Sequence, residues 1–390
     1  MRKLVACIAL LVAALLGGDA LAQVHFTPKL VPVKPWKPVF TTRHMTRFDP
    51  AVNGFRFINS FKMVTGAFDI TTNGLCGGMV YAALDYYNAH RDTPAQSYTP
   101  VNGTALQSYI YARHMNSLGN TLPKWIELHN NPFGARNQEF FNWGLQGTNG
   151  GRLQELQEQI NAGNPIPLGL KSLSADPSND HVVLAVGYDL GAYKGDLGAH
   201  EEDVKIFVYD PDQGNKTVTL YPVPSQQEYC IDYDNGPHCW RAYFVQNNGA
   251  YGPVAPPEVS NAPHELVLSI LTGGDDLRGG DDNLSVTVHL RSGADINASN
   301  INLGQRWIDH TWQQVGISLP DSVNSGADIS SVRFGVHFTG GSGGDNWDMD
   351  RLVMDVNVNG ASVSHCDRNP DAKPLNRFTG ERRLYQVPFC

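Results

Sequence analysis

The sequence predicts an α+β domain, in which a helix carrying a cysteine packs on an antiparallel sheet, followed by an all-β sandwich. Three observations carry this expectation. Around Cys76, after Gly77 and Gly78, the residues Met79, Val80, Ala83, Leu84 and Tyr87 recur at three- and four-residue spacing, the period of a helix with one apolar face. Two apolar, β-branched runs at 182–188 and 204–210 have the composition of buried strands and are separated by a polar loop. Beyond a Gly/Pro-rich stretch at 249–263, runs of alternating hydrophobicity recur between Gly/Asp/Asn loops. A chain of 390 residues with 41% hydrophobic residues is long enough for two such domains.

Residues 1–22 read as a secretory signal: Arg2 and Lys3, an apolar run over 4–16, then Ala20-Leu21-Ala22 before Gln23. The mature chain is thus expected in the extracellular or periplasmic space. No later stretch reaches the roughly 18 apolar residues that cross a bilayer. A formal net charge of -9 argues against a nucleic-acid partner. Residues 23–50 are rich in proline and basic residues and read as an extended arm or a short pro-segment.

The first domain is expected over 51–248. After the Cys76 helix, Ala105, Leu106, Tyr109, Ile110 and Met115 mark a second helix opened by Asn102-Gly103-Thr104. Residues 130–151, with Phe133, Phe140, Phe141 and Trp143, read as an aromatic loop able to wall a cleft. Leu153, Leu156 and Ile160 mark a third helix ending at Gly163, before the apolar stretch 166–170.

Within this frame Cys76 stands at a helix N-terminus, where unpaired N–H groups and the helix dipole favour a thiolate. The flanking glycines are read as letting a substrate backbone approach the sulfur. If Cys230 pairs with Cys239 and Cys366 with Cys390, each closing a local loop, Cys76 is left alone once Cys7 departs with the signal. Sequence does not fix that connectivity. His181 opens the first strand and Asp210 closes the second. Antiparallel pairing with Tyr188 opposite Val204 brings both to one end of the sheet. An imidazole that takes the thiol proton and a carboxylate that orients it are what a thiol nucleophile requires.

Asp180-His181-Val182-Val183-Leu184-Ala185-Val186-Gly187-Tyr188 resembles the segment around the catalytic histidine of papain-like cysteine peptidases, and Leu75-Cys76-Gly77-Gly78 resembles their nucleophile segment. The 29-residue step from His181 to Tyr209-Asp210-Pro211 is more like the bacterial leader-processing peptidases of that superfamily. The resemblance implies a papain-like fold and a Cys76-His181-Asp210 triad that acts on a peptide or protein substrate without a cofactor. One position departs. Ile70 stands where the superfamily places a glutamine whose amide stabilises the oxyanion, so Asn73 is the substitute candidate, with Asn59 more distant.

In the second domain, expected over 264–360, strands are predicted at 265–271, 284–290, 315–319, 332–338 and 352–358. Two acidic Gly-rich loops carry Asp275, Asp281 and Asp282, and Asp345 and Asp348. Their oxygen ligands suit a hard cation such as Ca²⁺, and simple solvated turns are the competing reading. Thr272 to Leu290, followed by Asp345-Asn346-Trp347-Asp348-Met349-Asp350-Arg351-Leu352, is similar to PLAT (lipoxygenase-homology) domains. That likeness implies a β-sandwich that docks onto a lipid or protein surface. Residues 361–390 are expected to fold back as a disulfide-closed tail.

The first functional expectation is a secreted thiol hydrolase. Acyl transfer of the transglutaminase kind uses the same triad, and a non-catalytic surface-binding protein with a structural Cys76 is the reading from another class. No Gly-Lys-Ser/Thr phosphate loop and no His-Glu-x-x-His zinc motif is present.

Overall fold

The computed structural model describes residues 43–65, 70–174, 176–247, 249–338 and 346–390, with the side chains of 62–65 and 70–73 outside that description. The expected signal, Cys7 and residues 23–42 of the arm lie outside the described residues. The chain is α+β, with few helices and mostly antiparallel sheets, and it divides into two compact units. The first takes residues up to Ser60, Leu75–Thr93 and Ile110–Pro256, and the second takes Phe61–Gly74, Pro94–Tyr109 and Pro257–Cys390.

In chain order the elements begin with β1 (Arg43–Met45), α1 (Pro50–Asn53), the hairpin β2 (Lys62–Thr65) and β3 (Ile70–Asn73), and α2 (Cys76–Asn88). They continue with α3 (Ala105–His129), α4 (Asn137–Leu145) and α5 (Arg152–Asn161). The strands of the first unit are β4 (Ile166–Lys171), β5 (His181–Asp189), β6 (Lys205–Tyr209), β7 (Thr217–Val223), β8 (Glu228–Tyr233), β9 (Gly236–Trp240) and β10 (Ala242–Val245). They form one antiparallel sheet in the order β10-β4-β5-β6-β7-β8-β9, with β1 added to β5. The end of the expected arm is therefore a strand. The sheet curls until Tyr229 on β8 meets Tyr243 on β10 edge-on, with ring centroids 5.1 Å apart.

Helix α5 shows why the periodicity was readable. Leu153, Leu156 and Ile160 fall on one face, and all three are buried against the sheet core with Leu168, Val183 and Val208. Each such side chain contributes about 1.5–3 kcal/mol through burial. The stretch expected as a loop at 130–151 instead holds helix α4 over 137–145, in which Phe140 and Phe141 are buried in two different clusters, Phe140 with Phe244 and Phe141 with Tyr229. Helix α3 runs on past the expected Met115 to His129 despite Pro123.

In the second unit β11 (His264–Thr272), β12 (Asn283–Leu290), β13 (Asp295–Ala298), β14 (Trp312–Leu319), β15 (Ile329–His337), β16 (Trp347–Val358), β17 (Ala361–Arg368), β18 (Asn376–Phe378) and β19 (Leu384–Pro388) form two antiparallel sheets. Their orders are β14-β11-β16-β17, with β18 on β16, and β13-β12-β15-β19. Both contribute to one apolar cluster around Trp307 and Trp347. Residues 361–390 are more than a tail, since they supply β17, β18 and β19, and Cys366 and Cys390 are bonded.

Glu265 on β11 is buried, and its Oε2 has no hydrogen-bond partner among the described residues. Burial pushes its carboxyl from 4.5 up to about 7. The native carboxyl then keeps its proton to higher pH than the unfolded one, so stability falls as pH rises between those values and is level above them. At about 1.4 kcal/mol per unit, the loss is at most about 3.5 kcal/mol. Glu265→Gln is therefore expected to slow exchange of the β11 amides at pH 8 and leave it nearly unchanged at pH 4; equal exchange at pH 8 would remove the point.

Candidate active site

Helix α2 is enclosed on all sides, with every residue from Cys76 to Tyr86 buried. Leu75 is its N-cap with no side-chain cap, and Met79 N–H returns to the Leu75 carbonyl. The N–H groups of Cys76, Gly77 and Gly78 thus have no partner inside the helix. Cys76 is the free cysteine among the described residues, and Cys230 is bonded to Cys239.

The two glycines serve a different purpose from the one expected. A Cβ on Gly78 would lie 2.1 Å from the Ile110 carbonyl, and one on Gly77 would lie 2.7 Å from Ser117 Oγ. They let α3 pack tightly against α2 rather than opening a path to the sulfur.

His181 opens β5 opposite Leu170, and Asp210 follows the last residue of β6. The expected register is corrected: Tyr188 pairs with Ile206, not Val204, and a bulge between Ala185 and Gly187 absorbs the difference. The two side chains still meet. His181 Nε2 lies 2.8 Å from Asp210 Oδ1, and Cys76 is near enough to the imidazole to help raise its ionisation. The structure thus brings Cys76, His181 and Asp210 together.

Asp210 is fully buried. Its Oδ1 also accepts the Asp212 N–H at 2.9 Å, and its Oδ2 accepts the Tyr233 hydroxyl at 2.6 Å. Burial alone would raise its carboxyl, but His181 and these donors hold it below the usual carboxylate range. Burial alone would likewise lower the His181 imidazole, yet the carboxylates of Asp210 and Asp212, the bond to Asp210 and the neighbouring Cys76 raise it well above the ordinary histidine range. The Trp240 ring stacks on His181 with centroids 5.7 Å apart.

Four residues around this site were not assigned these places from sequence: Tyr233, Trp240, Asp212 and Asn59. Tyr233 and Trp240 sit on the β8–β9 hairpin closed by the Cys230–Cys239 bond, so their nearness to those cysteines is the signal that could have found them. Asn59 accepts the Leu75 N–H on Oδ1 at 2.6 Å and donates from Nδ2 to Asp212 Oδ1 at 2.9 Å. The Asn73 side chain lies outside the described residues.

The acidic loops of the second unit are occupied differently from a bare ligand cluster. Arg377 donates to Asp275 at 2.7 Å and to both oxygens of Asp348 at 3.0 and 2.9 Å, so a guanidinium already faces these two carboxylates. Asp281 is exposed, Asp282 is buried, and Asp345 lies outside the described residues. Among the described residues no helix is long and apolar enough to cross a membrane.

No family model matches the sequence, and no curated protein does. Among solved structures, the chain is similar to an alpha-toxin of Clostridium perfringens from an avian strain, at 19% identity and a TM-score of 0.25, over 32% of this chain and 31% of that one. The match spans less than a third of that structure and carries no argument about fold or chemistry here.

Proposed function

We propose that the chain is a secreted, papain-like thiol hydrolase of peptide or amide bonds, with a PLAT-like β-sandwich as its accessory domain. The observation that carries the reading is the buried His181-Asp210 hydrogen bond beside the free Cys76 at the mouth of α2. Cys76 Sγ attacks the carbonyl carbon as a thiolate while His181 holds the proton. His181 then gives that proton to the leaving amine, and a thioester forms as the C–N bond breaks. Water, deprotonated by His181, resolves the thioester and restores the thiol. Asp210 fixes the ring and stabilises the imidazolium. The Cys76 N–H, with Asn73 as candidate second donor, holds the oxyanion. The two disulfides support an exported protein.

The test is the rate of Cys76 alkylation by iodoacetamide from pH 4 to pH 9, in wild type and in His181→Ala. Wild type is expected to react well below the free-thiol pKa of about 8.5, and the variant to react only as that range is reached. A wild-type thiol with an ordinary profile, or one indifferent to His181, sinks the hydrolase reading.

A further inference from the structure

Asp210 accounts for the Nε2 side of the imidazole, and a second carboxylate meets its other side. Asp212 Oδ2 lies 3.9 Å from His181 Nδ1, while its Oδ1 is held by Asn59 Nδ2 at 2.9 Å. The same Asn59 side chain takes the Leu75 N–H, and its backbone N–H donates to the Pro211 carbonyl at 3.0 Å. One amide therefore ties the residue before the nucleophile to the loop that carries both carboxylates.

We propose that Asp212, clamped by Asn59, is a positioning residue that sets a second carboxylate against the Nδ1 side of His181 while Asn59 fixes the peptide entering Cys76. The proposal rests on the thiol-hydrolase reading for its catalytic meaning, but its geometry is independent of any substrate. The imidazole lies between two anions, Asp210 on one nitrogen and Asp212 on the other. In the ion-paired form both compensate the imidazolium, and Asp212 is the one that water reaches, its side chain being 36% exposed against 0% for Asp210.

The other titratable groups near the ring are accounted for. Cys76 approaches it from α2. Tyr233 of β8 donates to Asp210, and His238 of β9 stacks on Tyr233 at 4.2 Å. Asp180, the preceding residue, is paired with buried Lys171 of β4 at 2.7 Å. None of these supplies an unneutralised negative charge on the Nδ1 side other than the Cys76 thiolate itself. A charge about 4 Å away through partly wetted protein shifts an ionisation by about one pH unit.

The experiment is a ¹⁵N NMR titration of histidine-labelled full-length protein, with the His181 signal assigned by its loss in His181→Ala, in wild type, Asp212→Asn, Asn59→Ala and the double variant. Asp212→Asn is expected to lower the His181 titration midpoint by about one unit. Asn59→Ala, which frees the carboxylate, is expected to lower it part of the way, and the double variant to match Asp212→Asn rather than the sum. Should either single variant fail to fold, the other still decides. A midpoint unchanged in Asp212→Asn, or additive effects in the double variant, overturns the clamp. Failure of the hydrolase reading is seen elsewhere, as an ordinary wild-type alkylation profile with the His181 shift still present.

Discussion

Asp85→Ala is expected to destabilise the first unit by about 3–5 kcal/mol, the range for removing one partner of a buried ion pair. Asp85 is held nine residues along α2 from Cys76, with its side chain fully buried and 2.6 Å from Arg113 Nε on α3. It also accepts the Tyr251 hydroxyl at 2.6 Å and the Val254 N–H at 3.0 Å, so one carboxylate joins α2, α3 and the chain leaving β10. Arg113 lies over the Tyr81 and Tyr251 rings, 5.1 and 5.5 Å from their centroids, and donates to the Gly252 carbonyl. Without the carboxylate, that guanidinium is left buried among aromatic rings with its charge uncompensated, and two donors lose their acceptor. A loss of this size is a large share of the 5–15 kcal/mol typical of a folded domain. Urea unfolding followed by tryptophan fluorescence measures it. The double variant Asp85→Leu/Arg113→Met, which removes both charges, is expected to recover much of the loss. A single-variant cost below about 1 kcal/mol would mean that the pair is already hydrated.

Neither Asp85 nor Arg113 was legible in the sequence, and the reason is physical. The apolar spacing around Cys76 pointed correctly to a helix, but periodicity assumes one solvated face, and a charged residue off the stripe reads as solvent-facing. Helix α2 has no solvated face over its first eleven residues. The same assumption hid Gly77 and Gly78: a glycine beside a candidate nucleophile suggests access, whereas a backbone carbonyl 2.1 Å from the missing Cβ requires a glycine for packing. Helix α4 was hidden because Phe140 and Phe141 are adjacent and bury in two different clusters, which spoils the single stripe.

The strands were more readable than their pairing. β5 and β6 follow directly from their composition, but the bulge at Ala185 and Gly187 is a tertiary adjustment that no local pattern records. The meeting of His181 and Asp210 tolerated the error because both sit at strand ends, where a shift of two residues leaves them on the same edge of the sheet. Contacts between distant segments stayed invisible: Arg377 is 102 residues from Asp275, and Asn59 is 153 from Asp212. The acidic loops therefore read as open oxygen clusters, and Asn59, before the Cys76 helix, read as a remote candidate.

On the proposed hydrolase reading, Asp210→Asn is expected to lower amide turnover by about 10²–10⁴ with little change of shape. An asparagine can keep its carbonyl toward His181 and the Asp212 N–H and turn its amide toward Tyr233, whose hydroxyl can accept as well as donate. What it cannot supply is charge. With the anion gone from Nε2, the imidazolium loses its principal compensation, the proton stays on sulfur, and thiolate forms only as the pH nears the ordinary thiol range. The same change alters stability in a defined window. The depressed Asp210 carboxyl stabilises the fold above the ordinary carboxylate range, and that contribution is lost as pH falls through its lowered value; the raised His181 stabilises it below the ordinary histidine range and is lost as pH rises through its higher one. The pair therefore stabilises most between those limits, where the asparagine variant should show its greatest deficit by chemical unfolding. Alkylation of Cys76 at pH 5 separates the two consequences, since it reports thiolate on molecules that are still folded. If Asp210→Asn keeps wild-type alkylation at that pH, the carboxylate serves packing alone, and Cys76 and His181 must form their ion pair without it.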